Sequence, residues 1–480
     1  MESLTAKIIT NLLSKRCLGI LNLLEGKEEI QTREIAESLN SSKRTILADL
    51  NELRDYFGSA ITISGSNRGI KLTVNDYTIY HEKKKKYVQQ EPLVQIIAGI
   101  YSGEYLSISE WAEKVNFSES TVLRLLKKLD RIIQNYRLGV IRSPVKFSGR
   151  ELDIRKFFWD LYYESTFIEI NEVEGCHQAA LTQLILADDR FVSIKRVRSI
   201  LNLSFKRIGM GEIEFLPKIV ENVKVDRLIA PLFLEIRKIT YLKKYSDAVL
   251  YREVVFIFLM LYSHWNQRKL TGIRLLEFSS TSKDFSRSLV KFLLDGRTKE
   301  DRGKVELAVQ DFLSRQYTKI CLGETYLKNT EDNNRFAKSL NPRLHNELCT
   351  YLINHTALPS HFQNTFISDF SSSFLLYLFA NQFIFTPINV LILLENDSII
   401  DEPTKIIFEK FFSTQATILY EEEIGISDIK KDQYSKIITN IIPFEHEVTD
   451  NAEVIHFSKS FSVEDIIRLV SSLQEKQKIG

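Results

Sequence analysis

The sequence predicts a mainly α, multidomain protein: two winged helix-turn-helix domains in front, two helical bundles in the middle and a small α/β domain at the end. Three observations carry this. Residues 32–53, TREIAESLNSSKRTILADLNEL, read as two helices around a tight turn, and two alternating apolar runs follow them. The same grammar returns 76 residues later. From about residue 155 to 385 apolar residues recur at helical spacing, and after Pro387 they gather into strand-length runs.

Length and composition set the frame. A chain of 480 residues is too long for one compact core, and 44% apolar with 26% charged residues describes a globular protein. The net charge of +2 says little about partners, but its distribution says more. Residues 1–160 hold 25 Lys and Arg against 20 Asp and Glu, whereas residues 386–480 hold 9 against 17. A mildly basic front suits nucleic acid, and the acidic tail suits another task. Cys17, Cys176, Cys321 and Cys349 lie far apart with no CxxC pair, so neither a zinc site nor a disulfide framework is expected. The start lacks a basic-then-apolar leader, and the densest apolar run, residues 254–262, is too short to span a bilayer. The expectation is a cytoplasmic protein with no membrane segment, metal or cofactor.

Taken in order, residues 1–30 carry Leu12, Leu13, Ile20, Leu21, Leu23 and Leu24 at helical spacing. Thr32 is the expected N-cap of the next helix, with Ile35, Ala36 and Leu39 facing inward. Asn40 and Ser41 make the turn. Ser42 caps a second helix whose inward face is Ile46, Leu50 and Leu53. Ser42, Lys43, Arg44, Thr45 and Asn51 then point outward. Cations and hydroxyls at the head of such a helix suit a DNA major groove, where they meet phosphate or guanine. Ile61 and Ile63, then Ile70, Leu72 and Val74, alternate about a turn from Gly65 to Gly69. This hairpin is the wing, with Asn67 and Arg68 at its tip. The run Lys83, Lys84, Lys85 and Lys86 reads as solvated charge in preference to a phosphate-binding linker.

Residues 107–129, SISEWAEKVNFSESTVLRLLKKL, repeat the first module. A shift of 76 lays Ala36 on Ala112, Glu37 on Glu113, Asn40 on Asn116, Ser42 on Ser118, Thr45 on Thr121, Leu50 on Leu126 and Leu53 on Leu129. Ser107 and Glu110 fit a capping box. The second recognition helix offers Ser118, Ser120, Thr121, Arg124, Lys127 and Lys128. It has Glu119 where the first has Lys43, so the two modules are not expected to read the same sequence. Ile141, Val145 and Phe147 mark a second hairpin, with Arg142, Lys146 and Arg150 as basic candidates.

Further helices are expected around residues 178–187, 194–208, 228–243, 249–265, 285–295, 303–315, 345–355 and 364–384. Strand-length runs lie at 388–394, 417–419, 437–442 and 454–457, with helices at 401–412 and 463–474 between and after them. That alternation predicts a small parallel sheet. The motifs GxxxxGK, GxGxxG, HExxH and GxSxG are absent, so no enzyme is expected.

Two motifs carry a family resemblance. Ser42-x-Arg44-Thr45-Ile46-x-x-Asp49-Leu50-x-x-Leu53 resembles the helix-turn-helix of DeoR-like and Mga-like bacterial regulators, with Ala48 where members often carry arginine. Ser148-Gly149-Arg150-Glu151-x-Asp153-Ile154-Arg155-x-Phe157 resembles the junction after the second winged domain in the Mga and AtxA virulence regulators. The resemblance implies two winged helix-turn-helix domains (1–78 and 79–158), two phosphotransferase-regulation domains (159–282 and 283–385) and a domain similar to the EIIB phosphotransferase component (386–480). It implies a transcription regulator of a Gram-positive bacterium, an activator and a homodimer, binding double-stranded DNA and tuned by phosphotransferase-system proteins. Such domains are phosphorylated on histidine, but Lys195 and Leu378 stand at the expected positions, which leaves His264 and His355 as candidates. A helix-packing role is the plainer reading of both. Glu395, Asn396, Asp397 and Ser398 stand where an EIIB cysteine would, so the tail reads as a dimerisation or sensing module. The alternatives are an RNA-binding antiterminator, a phosphotransferase phosphocarrier and a scaffold.

Overall fold

The computed structural model describes residues 4–25, 29–163, 176–188, 194–263, 280–294, 302–329, 331–354, 366–380, 390–394, 416–420, 436–439 and 453–456. The chain divides into two compact units: residues 1–277 with 314–327, and residues 278–313 with 328–480.

The first unit opens with α1 (Leu4–Ile8), α2 (Leu12–Glu25), α3 (Thr32–Ser38) and α4 (Lys43–Phe57), then the strands β1 (Ile61–Gly65) and β2 (Ile70–Val74). Cys17, Ile20, Leu21 and Leu24 of α2, Ile35 of α3, and Ile46, Leu50, Leu53 and Phe57 of α4 are all buried, so three amphipathic helices close on one core. The strands pair antiparallel, with Ile61 opposite Val74 and Ile63 opposite Leu72. Ile30 bridges to Ile70 and covers the edge of β2. Gly69 makes that possible: at φ +148° a Cβ there would stand 2.6 Å from the Ile30 carbonyl oxygen. The cap of α3 is one residue earlier than expected. Gln31 holds that position, and its side-chain amide donates to the carbonyl of Arg68 at 2.6 Å; Thr32 lies inside the helix.

The lysine run lies on α5 (Tyr77–Gln89), and this corrects the reading of solvated charge. Tyr80, Lys84 and Val88 share one face at a spacing of four, and that face is buried. Lys84 is 2% exposed, with its ammonium 2.7 and 2.8 Å from the Glu25 carboxylate oxygens. Lys83 donates to the carbonyls of Tyr56 and Phe57 at 3.1 and 3.0 Å, where α4 ends and unpaired carbonyls gather.

The second module comprises α6 (Pro92–Tyr101), α7 (Ile108–Lys114), α8 (Glu119–Ile133), β3 (Gly139–Arg142) and β4 (Val145–Ser148). The expected capping box forms: Ser107 caps α7, and Glu110 accepts from the Ser107 amide at 2.7 Å. That bond, with a second from the Ser107 hydroxyl to the same oxygen at 2.7 Å, holds the Glu110 carboxyl below its usual pKa. The modules are fastened together. Buried Glu91 accepts from the amides of Thr10 and Asn11 at 3.0 and 3.2 Å.

α9 (Glu151–Tyr162) is the junction motif, and nearly every residue of it is buried. Gly149 before it takes φ +135°, where a Cβ would stand 2.5 Å from the Leu138 side chain. Behind it pack α10 (Cys176–Ala187), α11 (Ile194–Arg207), α12 (Pro217–Lys224), α13 (Ile229–Lys238) and α14 (Asp247–Ser263). Arg155, wholly buried, donates from Nη1 and Nη2 to Glu253 at 2.7 Å each and from Nε to Glu151 at 3.0 Å. Arg207 donates to both oxygens of Glu151 at 3.0 and 2.7 Å, and Ser204 donates to Glu253 at 2.6 Å. Burial opposes a charge on Arg155, but Glu253 and Glu151 outweigh it and raise the guanidinium pKa further. Asp153 accepts from Thr325 at 2.6 Å, which ties residues 314–327 to this unit. One apolar core runs unbroken from Ile8 to Tyr262.

The second unit holds α15 (Ser280–Leu294), the first part of α16 (Arg302–Leu322), α17 (Glu331–Leu340), α18 (Pro342–Asn354) and α19 (Ile367–Ala380). Phe312 meets Phe370 edge-on and Phe374 at a tilt, with centroids 5.2 and 4.7 Å away. Its sheet has β5 (Val390–Leu394), β6 (Ala416–Tyr420), β7 (Lys436–Thr439) and β8 (Glu453–His456), all parallel, in the order β6-β5-β7-β8. All four expected strands form, and they are parallel as expected. The expected helix at 228–243 ends at Lys238, because Ile239 turns extended with ψ 116°. α12 and α17 were not expected; both are short and rich in charged and polar positions. The expected helices at 401–412 and 463–474, the EIIB position 395–398, His264 and His355 all lie outside the described residues.

Among the described residues no helix is long and apolar enough to cross a membrane, and no cluster of His, Cys, Asp or Glu could hold a metal. Burial raises the Cys17 thiol to about 11 and the Cys321 thiol to about 12. The thiolate is the nucleophile, so at pH 8 both stay protonated and shielded. Iodoacetamide in native buffer is expected to spare Cys17 and Cys321 and to label them in urea, as peptide mass mapping would show.

Candidate nucleic-acid interface

Both turns are built from the same atoms. Asn40 and Asn116 take φ +49° and +57°, a left-handed conformation that asparagine tolerates. The Ser41 amide then reaches the Ala36 carbonyl at 2.8 Å, and the Phe117 amide reaches Ala112 at 2.9 Å. Ser42 caps α4 by accepting from the Thr45 amide at 3.1 Å, and Ser118 caps α8 from Thr121 at 3.3 Å. The hydroxyls also pair, Ser42 with Thr45 at 2.8 Å and Ser118 with Thr121 at 2.9 Å. These four residues orient the recognition helices, whatever further contacts their oxygens make.

The outward face of α4 presents Arg44, Leu47, Ala48 and Asn51 at helical spacing, with Lys43 beside them. The matching face of α8 presents Ser120, Leu123, Arg124 and Lys127. The side chains of Lys43, Arg44, Arg124 and Lys127 have no partner among the described residues. Asn51 is exposed, and its Oδ1 accepts from Arg54 at 2.6 Å; Arg54 also donates to the Ile63 carbonyl at 3.1 and 3.2 Å. Arg54 thereby locks the helix to its wing. Asn67 and Arg68 are exposed at the tip of that wing. In the second hairpin Arg142 and Arg150 are exposed and Lys146 is half-buried.

Lys128 differs from these cations in having a partner within the chain. Its ammonium donates to the Ile9 carbonyl at 3.0 Å. It sits on the border beside buried Leu125 and Leu129, so the helix turns it back toward the end of α1. Two further features escaped the sequence reading. Asp49, expected only as part of a motif, is buried beneath α4 and accepts from Arg16 at 2.7 and 3.0 Å. That bond raises the Arg16 pKa. Leu47 and Leu123 are the other feature: they superpose under the 76-residue shift, which was the available signal.

Comparison with known proteins bears on this front part. Residues 14–69 match the family described as the M protein trans-acting positive regulator (MGA) HTH domain, and residues 76–162 match the Mga helix-turn-helix domain. The chain is 27% identical over 178 residues to a trans-acting regulator of Streptococcus pneumoniae serotype 4. It is 23% identical over 209 residues to the capsule synthesis positive regulator AcpA of Bacillus anthracis, and 22% over 157 residues to AcpB of the same organism. These alignments cover 36%, 41% and 32% of this chain and span 35%, 42% and 32% of the relatives' own lengths. The resemblance to Mga/AtxA-like regulators, carried by the two motifs, is therefore shown.

Proposed function

We propose that the chain is a transcription regulator that binds double-stranded DNA through its two winged helix-turn-helix domains. The observation that carries this is the pair of serine-capped helices, α4 and α8, each turning unpartnered cations outward beside a hairpin. The printed names of AcpA and AcpB, positive regulators of capsule synthesis, support activation as the outcome. The helical bundle behind α9 and the one in the second unit read as phosphotransferase-regulation domains, and the parallel sheet reads as an EIIB-like module. In this reading phosphotransferase proteins tune the regulator, and it works as a homodimer in the cytoplasm.

The test is salt-dependent binding of the full chain to fluorescent genomic duplexes, with hairpin RNA as the comparison. Binding is expected to weaken linearly in log–log form as salt rises, and to favour duplex DNA. Preference for the RNA hairpins would overturn the reading. Arg44→Ala is expected to weaken the best duplex by about 1–3 kcal/mol if the guanidinium reads guanine. If it grips phosphate, the salt slope falls by about one unit for every sequence.

A further inference from the structure

We propose that Leu47 and Leu123 read thymine, each packing against a C5-methyl group in the major groove beneath its own recognition helix. This rests on the DNA-binding reading above. Leu47 is 53% exposed and Leu123 is 37% exposed, although each lies in the middle of a helix whose other leucines are buried. A single exposed leucine is ordinary. Here the same exposed position carries leucine in both copies of the repeat, while its neighbours differ. Arg44, Ala48 and Asn51 surround Leu47, whereas Ser120, Arg124 and Lys127 surround Leu123. Packing within the chain does not ask for leucine at either place.

The flanking groups name the occupant. Unpartnered Lys43 and Arg44 beside Leu47, and Arg124 and Lys127 beside Leu123, make a cationic border that suits a polyanion. Within a major groove the base edges offer hydrogen-bond donors and acceptors and one apolar group, the thymine methyl. A leucine carried into that groove has the methyl as its only favourable base contact. The polar neighbours would set a different sequence for each module, while the leucine places a thymine requirement in both.

The full chain would first select duplexes from a randomised pool. In the best duplex each thymine is then replaced by deoxyuridine, which pairs identically but lacks the methyl. At one or two positions in each half of the footprint, the replacement is expected to weaken wild-type binding about fourfold, the worth of one buried methyl. Leu47→Ala should abolish that sensitivity in one half and Leu123→Ala in the other. Both substitutions lie on the surface, so an unchanged thermal transition serves as the folding control. Indifference of the wild type to deoxyuridine, or equal sensitivity in the variants, would overturn the proposal and leave DNA binding intact. Loss of self-association with unchanged duplex affinity would show that the leucines meet protein instead. Failure to enrich any duplex, or to bind one in a salt-dependent way, would overturn the DNA-binding reading itself.

Discussion

Arg155→Ala is expected to destabilise the first unit by about 3–5 kcal/mol, the usual cost of removing one partner from a buried ion pair. Glu253 would lose both bonds from the guanidinium and keep only the Ser204 hydroxyl; Glu151 would keep Arg207. Both side chains are shielded from bulk solvent, Arg155 wholly and Glu253 nearly so. Urea unfolding followed by tryptophan fluorescence checks this, because Trp111 and Trp159 report from the same core. Arg155→Met combined with Glu253→Leu removes both charges and should recover most of the loss. A midpoint unchanged in Arg155→Ala would mean that the bonds from Arg155 contribute nothing.

Asp49→Ala is the second large effect, about 2–3 kcal/mol from two charge-assisted hydrogen bonds. The loss is smaller than for Arg155 because the Arg16 side chain is 26% exposed, so its stranded guanidinium finds water. The pair holds the outward-facing helix α4 against α2. DNA affinity should therefore fall along with stability, through misplacement of Arg44 and its neighbours, although Asp49 itself faces inward. Adding Arg16→Ala should then cost little more. Independent, additive losses in the cycle would show that the two residues do not act as a pair. The second module has no such bond, since Leu125 and Pro92 occupy the equivalent places.

What the sequence revealed was local. Caps, the asparagine turns and the period of Ile46, Leu50 and Leu53 are written within a few residues of one another, so both helix-turn-helix units and both hairpins were legible. The parallel strands were legible because apolar runs of that length have few other uses. The long-range pairings were not. Nothing near Lys84 announces Glu25, and a lysine run looks solvated until the helix face beneath it is known. Lys128 sits on the border of its helix, where periodicity alone cannot assign a side. Glu151, Arg155, Arg207 and Glu253 meet across 102 residues of chain, and only the fold brings them together. α12 and α17 were missed because eight and ten residues span only two to three turns, too few for a repeat to stand out among so many charged and polar positions.

Glu91 holding Thr10 and Asn11, and Lys128 holding the end of α1, make the front of the protein behave as a fixed calliper. A calliper tolerates no change in the phase of what it spans. Slipping five base pairs between the two contacted tracts rotates one of them by about half a turn of B-form duplex, out of reach of the second helix. A full-turn insertion restores the facing but stretches the span. Gel-shift titration of such spaced duplexes should give one permitted separation, and a protein indifferent to spacing would have a hinge where these bonds now stand.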